Sequence, residues 1–189
     1  MDSMDTSTLI AVVIVALAFA GYILYRSRQS RRLQQRFGPE YAAVVQQMGS
    51  RAKAEKELAK RERRVERLEI IPLTAAETAR FTQSWSRLQA AFIDDPKGVL
   101  IQADQLVREL LTKRGYPMGD FERRAADISV DHPVVVNNYR AAQRILSRDQ
   151  RGEADTEDMR KAVVHFRALF DELLGVSTQR AQPDTRLAA

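Results

Sequence analysis

The side chains best suited to chemistry in this chain of 189 residues are carboxylates, arginines and a histidine between residues 120 and 132. Carboxylates combined with an imidazole can hold a hard or borderline metal ion, which would suit a metal-dependent enzyme. A structural role explains the same residues more simply, because Asp120 and Asp131 stand where helix N-caps are expected and His132-Pro133 fits a first helical turn. Glu122 and Asp127 would then pair with arginines on a helix surface. The cluster consists of Asp120, Glu122, Arg123, Arg124, Asp127, Asp131 and His132.

The remaining residue types point away from catalysis. The second of the two histidines is His165, and nothing in its spacing from His132 brings the two together. The chain has no cysteine, which excludes disulfides, zinc sites built on thiolates and thiol nucleophiles. It also lacks HExxH, P-loop, GxSxG and protein-kinase signatures. We therefore predict no catalytic residue, no metal site and no cofactor, and keep a metal-dependent enzyme at His132 as an alternative.

A recognition surface is a second interpretation of the loops around this cluster. Aromatic and charged side chains are common at the energetic centres of protein interfaces. The aromatic and charged side chains of these loops would form one patch if the loop after residue 114 lies beside the Asp131–Pro133 turn. The alternative is that the aromatic rings fill the ends of a helical core. The candidate partner-binding residues are Tyr116, Pro117, Asp120, Phe121, Asp131, His132 and Tyr139.

An apolar segment near the N-terminus, Leu9–Tyr25, decides where these residues would act. Its seventeen residues carry no charge, and as a helix they span about 25 Å, close to the thickness of the hydrocarbon core of a bilayer. Asp2 and Asp5 precede the segment, whereas five arginines follow it within eleven residues. By the positive-inside rule we predict a single-pass helix with the N-terminus outside and the C-terminal domain in the cytoplasm. A cleaved signal peptide is the alternative, although the acidic N-terminus and the length of the apolar run argue against it.

Positive charge is concentrated directly after this segment. Residues 26–67 hold thirteen Lys and Arg against five Asp and Glu, whereas the whole chain has a net charge of +5. The segment 26–69 would serve as a charged spacer or as a basic arm lying on anionic lipid. Its interleaved acids, and the near-neutral charge of the remainder, argue against a nucleic-acid partner, and none is expected. The candidate lipid-contacting residues are Arg26, Arg28, Arg31, Arg32 and Arg36.

Hydrophobic periodicity and capping signals predict helices through the rest of the chain. Gly38-Pro39 should break the first helix, and the capping-box pattern Thr74–Glu77 should open another. Asp95-Pro96 marks a further helix start, and either Asp155 or Thr156 caps the last helix. We predict an all-α fold with a small bundle of four long helices and one short one. The predicted divisions are residues 1–8 as a short extracytoplasmic N-terminus, 9–25 as a transmembrane helix, 26–69 as basic juxtamembrane spacer helices, 70–175 as the helical bundle and 176–189 as a disordered tail.

Six sequence blocks are distinctive in their combination: RFGPEY (36–41), FIDDP (92–96), RGYP (114–117), GDFE (119–122), AADISVDHP (125–133) and FRALFDELL (166–174). Together they resemble a family of small, uncharacterised bacterial proteins with one N-terminal membrane anchor. The resemblance implies a bacterial source and an anchored helical domain. It brings no catalytic residues to this chain.

The function predicted from these observations is a membrane-anchored adaptor or scaffold. Its helical domain would bind another protein at the cytoplasmic face of the bacterial inner membrane. The first alternative is a structural protein of the lipid surface or envelope that acts through residues 26–67. The second alternative is the metal-dependent enzyme. The partner, the pathway and the oligomeric state stay open.

Overall fold

The computed structural model describes the backbone of residues 6–175 and the side chains of residues 9–175. All regular structure within these residues is helical, so the predicted all-α fold is confirmed. The predicted disordered tail and the first five residues lie outside the described residues. The chain divides into two compact units between Leu58 and Ala59. The helices are α1 (Thr6–Met48), α2 (Arg51–Val65), α3 (Ala75–Ala91), α4 (Pro96–Lys113), α5 (Phe121–Asp131), α6 (Val136–Gln150) and α7 (Thr156–Leu173).

The N-terminal part of α1 is apolar and packs against nothing in the described chain. Between Leu9 and Tyr25 every side chain is exposed, and the most apolar window of the helix has a mean hydropathy of 2.2 with none of it buried. By length and composition, α1 is the one helix among the described residues that could cross a membrane. The arginines that follow, at positions 26, 28, 31, 32 and 36, are also exposed.

A break at Gly38 divides α1 into two helical pieces, as the sequence predicts. The backbone angles there, φ 45° and ψ −122°, are not helical, and Pro39 follows directly. Side chains on either side of the break bond to one oxygen, because Ser30 Oγ and Tyr41 OH donate to Glu55 Oε1 at 2.5 and 2.8 Å. In a straight helix the Cα atoms of residues 30 and 41 would stand about 16 Å apart, so the break at Gly38 helps the two side chains reach the same oxygen.

Arg51 completes this cluster of polar side chains. Its Nε donates to Tyr41 OH and to Glu55 Oε1, both at 3.0 Å, and its Nη2 donates to Ser30 Oγ. Burial raises the pKa of the Glu55 carboxyl, but the hydrogen bonds from Ser30, Tyr41 and Arg51 outweigh burial and hold the pKa below its ordinary value. The cluster therefore fixes the two pieces of α1 against the start of α2.

Apolar residues around this cluster are buried on both helices. Leu33, Phe37 and Val44 of α1 are at most 2% exposed, and Ala54 and Leu58 of α2 are fully buried. Each fully buried leucine or phenylalanine stabilises the fold by about 2 kcal/mol. α2 thus has a buried face and is not solvated on all sides, in contrast to a simple charged spacer.

A second hydrophobic core lies within residues 59–175, which include the predicted bundle. α7 packs against α4 and α6, α3 packs against α4, and α5 packs against α6. At its centre the ring of Trp85 lies 4.6 Å from that of Phe170, and Phe81 meets the same ring edge-on at 6.4 Å. Such aromatic pairs stabilise a core beyond the area that they bury. The core is closed by apolar side chains from all five helices α3–α7.

The predicted helix starts are confirmed by their capping hydrogen bonds. Thr74 and Glu77 form a capping box in which the Glu77 amide donates to Thr74 Oγ1 and the Thr74 amide donates to Glu77 Oε2. Asp95, Asp120 and Asp155 each accept a hydrogen bond from the amide three residues later, at 2.7 to 2.8 Å. Local sequence therefore sets where α3, α4, α5 and α7 begin.

One predicted helix boundary is wrong. α5 continues as far as Asp131, and His132 is its C-cap, so neither residue belongs to the first turn of the next helix. α6 begins after Val135, which makes no side-chain capping bond. The Asp131 carboxylate is instead occupied by a tertiary contact, since it accepts a hydrogen bond from Tyr116 OH at 3.1 Å.

Candidate partner-binding groove

The predicted recognition patch contains two tyrosines that the structure places in the core. Tyr116 is 3% exposed and Tyr139 is fully buried. Burial, followed by the charge of Asp131, raises the pKa of the Tyr116 hydroxyl. Neither ring is available at the surface, so the alternative that rings fill the bundle core is the right one for these two residues.

The Tyr139 hydroxyl is held by a buried arginine. Arg124 Nε donates to Tyr139 OH at 2.7 Å, and Arg124 Nη1 donates to the Gly119 carbonyl at 3.1 Å. Burial raises the pKa of Tyr139, although the charge of Arg124 opposes that rise. The arginine thereby connects the loop before α5 to α6. The same contact holds the Tyr139 ring, whose centroid lies 5.2 Å from that of Phe121.

Asp131 and His132 bond to different elements. The Asp131 side chain is exposed and accepts from Tyr116, whereas His132 Nδ1 lies 3.2 Å from Glu172 Oε1 of α7. These contacts connect the end of α5 with the loop after α4 and with α7. Both residues therefore position loops; a further role in binding a partner stays a prediction.

The proposed metal ligands do not converge. The two histidines have different partners. His165 Nδ1 lies 3.0 Å from Asn138 Oδ1, whereas His132 contacts Glu172. Within residues 9–175, no three side chains among histidine, aspartate and glutamate come together so that they could hold a metal ion. The described residues thus give the metal-dependent alternative no support.

Asp127 does not pair on the helix surface as the sequence predicts. Its carboxylate is buried, and Oδ1 accepts a hydrogen bond of 2.6 Å from Arg64 Nε of α2. Glu122 is exposed at the start of α5. Glu122 and Asp127 therefore have different roles, since Asp127 lies inside the fold and Glu122 lies at its surface.

An open groove of about 490 Å³ runs beside the half-buried ring of Phe121. It joins the start of α5 to the exposed face of α6. Phe121 is the one predicted partner-binding residue that lines it, while Pro117 and Asp120 are exposed in the loop just before. The lining residues are Phe121, Glu122, Gln143, Arg144, Ser147, Arg148 and Arg151.

Two of the three arginines in the groove are already paired with carboxylates of the same chain. Arg148 Nη2 donates to Asp158 Oδ2 at 2.8 Å, and Arg151 Nη2 donates to Glu153 Oε2 at 2.8 Å. Arg144 is exposed and has no hydrogen bond or ion pair within the described part of the chain. The positive charge available to a ligand is therefore centred on Arg144.

Sequence reasoning missed these arginines, although a signal was present. Positions 140, 144, 148 and 151 are all arginine, and this spacing of four, four and three places them along one face of a helix. The pattern shows a basic stripe on α6. It does not show the apolar ring beside it, because Phe121 belongs to a different helix.

Residues 6–175 form an all-α fold with one helix that could cross a membrane by its length and composition, and with a bundle that carries a mixed basic and aromatic groove. Comparisons with protein-family models, with curated proteins and with solved structures found no match for the chain. The resemblance to a bacterial family therefore stays a prediction from the sequence blocks, and function is argued from geometry.

Proposed function

We propose that this protein is a single-pass adaptor of the bacterial inner membrane. Its helical bundle binds another protein in the cytoplasm, and the proposal depends chiefly on the groove beside Phe121 and Arg144. Aromatic and arginine side chains in a concave, partly desolvated setting are typical of the residues that dominate protein interfaces. The buried core of the bundle, with its aromatic rings in mutual contact, favours a rigid binding module.

Membrane attachment through α1 is supported by exposure and charge together. An apolar stretch whose side chains are all exposed is costly in water, whereas the same surface is compatible with lipid. The arginines that follow favour retention of that end in the cytoplasm. A cytoplasmic bundle would then meet its partner close to the membrane.

A role at the lipid surface is the second candidate function. Arg28 and Arg31 lie three residues apart on the side of α1 opposite the buried residues Leu33 and Phe37. Arg32 and Arg36 are exposed at the edge of that side. Each basic side chain near an anionic leaflet contributes about 1 kcal/mol of attraction. This basic face would strengthen anchoring in either case, so it accompanies the adaptor role and does not compete with it.

Photo-cross-linking inside cells tests the adaptor function. A photoreactive residue at Ser147, which lines the groove, should give a discrete protein adduct in the cells that naturally make the protein. The matched control is Ser86, which is exposed on α3 and lies outside the groove. Equal adducts from both positions, or none from Ser147, would contradict the proposal.

A further inference from the structure

We infer that the groove on α5 and α6 binds an acidic segment of a partner protein, with a carboxylate at Arg144 and an apolar side chain against Phe121. The inference rests on the proposed adaptor function and names the chemistry of its partner. It follows from three features of the groove: an available guanidinium, a half-buried ring and a neighbouring carboxylate.

Arg144 supplies the charge that selects an acidic side chain. Its guanidinium has no bonding partner among the described residues, so its five donors can serve a ligand. A carboxylate can accept two parallel hydrogen bonds from this group, which fixes orientation as well as attraction. Arg148 and Arg151 already bond to Asp158 and Glu153, so they add little free charge.

Phe121 supplies an apolar contact that is organised in advance. Its ring contacts that of Tyr139 with the two planes inclined by 56°, and the Tyr139 hydroxyl is held by Arg124 in the buried part of the bundle. The ring therefore loses little conformational freedom when a ligand side chain covers its exposed part. A leucine or similar residue near the ligand carboxylate would pack there.

Glu122 distinguishes a peptide from a chain of phosphates. It lines the same groove and is exposed, so it would repel a ligand that carries a negative charge at every repeat. An acidic peptide meets less of this repulsion, because apolar or polar residues can stand opposite Glu122 while its carboxylate reaches Arg144. The balance of charge thus favours a protein segment over nucleic acid.

The test uses the full chain in detergent micelles and a short fluorescein-labelled peptide. The peptide carries glutamate and leucine in a glycine–serine sequence, and a second peptide has glutamine in place of glutamate. By fluorescence anisotropy, Arg144→Gln should weaken binding of the glutamate peptide about tenfold and leave the glutamine peptide unchanged. Arg87→Gln is the matched control, since Arg87 is exposed on α3 outside the groove and loses the same charge.

A variant that strengthens binding guards against loss of folding. Glu122→Gln removes the repelling carboxylate and should tighten the glutamate peptide about threefold at low salt. Equal weakening by Arg87→Gln and Arg144→Gln, or no preference for glutamate over glutamine, would overturn the inference. So would a single-stranded oligonucleotide that binds more tightly than the peptide and depends on Arg144. A Ser147 adduct in cells, together with any of these results, would leave the adaptor function standing and remove only the acidic partner.

Discussion

Arg64 and Asp127 join α2 to α5 through one carboxylate oxygen. Arg64 Nε lies 2.6 Å and Nη2 lies 2.5 Å from Asp127 Oδ1. The burial of the two side chains is unequal, with the aspartate 1% exposed and the arginine 22% exposed. Oδ2 of Asp127 is buried and has no hydrogen bond among the described residues. A buried carboxylate therefore depends on a cation that can reach solvent.

This asymmetry predicts unequal effects from removing either partner. Arg64→Met strands a buried charge and should lower the free energy of unfolding by about 3 kcal/mol. Asp127→Asn leaves an arginine that can turn toward water, and should cost about 1 kcal/mol. Urea unfolding of the full chain in micelles, followed by fluorescence of Trp85, the one tryptophan of the sequence, measures both. Arg63→Met on the exposed face of α2 is the control, and a cost equal to that of Arg64→Met would refute the role of the pair.

Gly115 should tolerate substitution much less well than Gly152. Both have positive φ, at 88° and 74°, so alanine is strained at either site. A Cβ on Gly115 would also lie 2.3 Å from the Glu69 carbonyl oxygen, whereas a Cβ on Gly152 meets nothing within 4 Å. We expect Gly152→Ala to cost about 1 kcal/mol and Gly115→Ala at least about 3 kcal/mol. Equal losses of stability in the same unfolding assay would contradict the prediction, because they would show that the backbone at Glu69 moves away without cost.

Glu77 should make stability depend on acidity. The hydrogen bond from Lys113, together with those from Thr74, lowers the pKa of Glu77 from 4.5 to about 2. Because the folded pKa lies below the unfolded one, the contribution is complete above about pH 4.5 and is lost as the pH falls toward 2. Between those values the wild type should lose more stability than Glu77→Gln does, measured by urea unfolding at each pH. Lys113→Met should reduce the difference in stability loss between the wild type and Glu77→Gln. If the stability of the wild type and of Glu77→Gln falls equally as the pH is lowered, the pKa shift assigned to Glu77 is wrong.

The arginines after the apolar helix should determine its orientation. A pair of reporters fused after Ala189, one active in the cytoplasm and one outside it, should give only the cytoplasmic signal. Neutralising the arginines closest to the membrane should invert or mix the orientation, because the rule counts charges within about 20 residues of the helix end. The variants replace Arg26, Arg28, Arg31 and Arg32 with glutamine, and the matched control replaces Lys53, Lys56, Lys60 and Arg63. Unchanged orientation in both sets would remove the charge argument.

The features that could be predicted from the sequence depend on neighbours in the chain. Helix starts at Thr74, Asp95, Asp120 and Asp155 require a side chain and an amide three residues later, and both are close neighbours in the sequence. The break at Gly38 follows from the proline beside it. The all-α class follows from hydrophobic periodicity over many residues.

The wrong predictions concern residues whose contact partners lie far away in the sequence. Asp127 looks like a surface acid, yet it pairs with Arg64, which is 63 residues earlier. Asp131 looks like an N-cap, yet it accepts from Tyr116, and that contact belongs to the tertiary fold. No local pattern distinguishes a carboxylate that caps a helix from one that receives a distant donor. The same limitation hid the groove, since Phe121 and Arg144 meet only after α5 packs on α6.

The helix from Thr6 to Phe37 is unbroken, and this continuity has a mechanical consequence. The apolar segment and the part of α1 that carries Ser30 and Phe37 form one continuous, rigid helix. If the segment spans a bilayer as proposed, a thinner membrane that tilts the segment must tilt that part of α1 by the same angle. Phe37 lies about 18 Å beyond Tyr25, so a tilt of about 20° would displace it sideways by about 6 Å. The position of Phe37 and of the break at Gly38 would thereby change with the thickness of the bilayer.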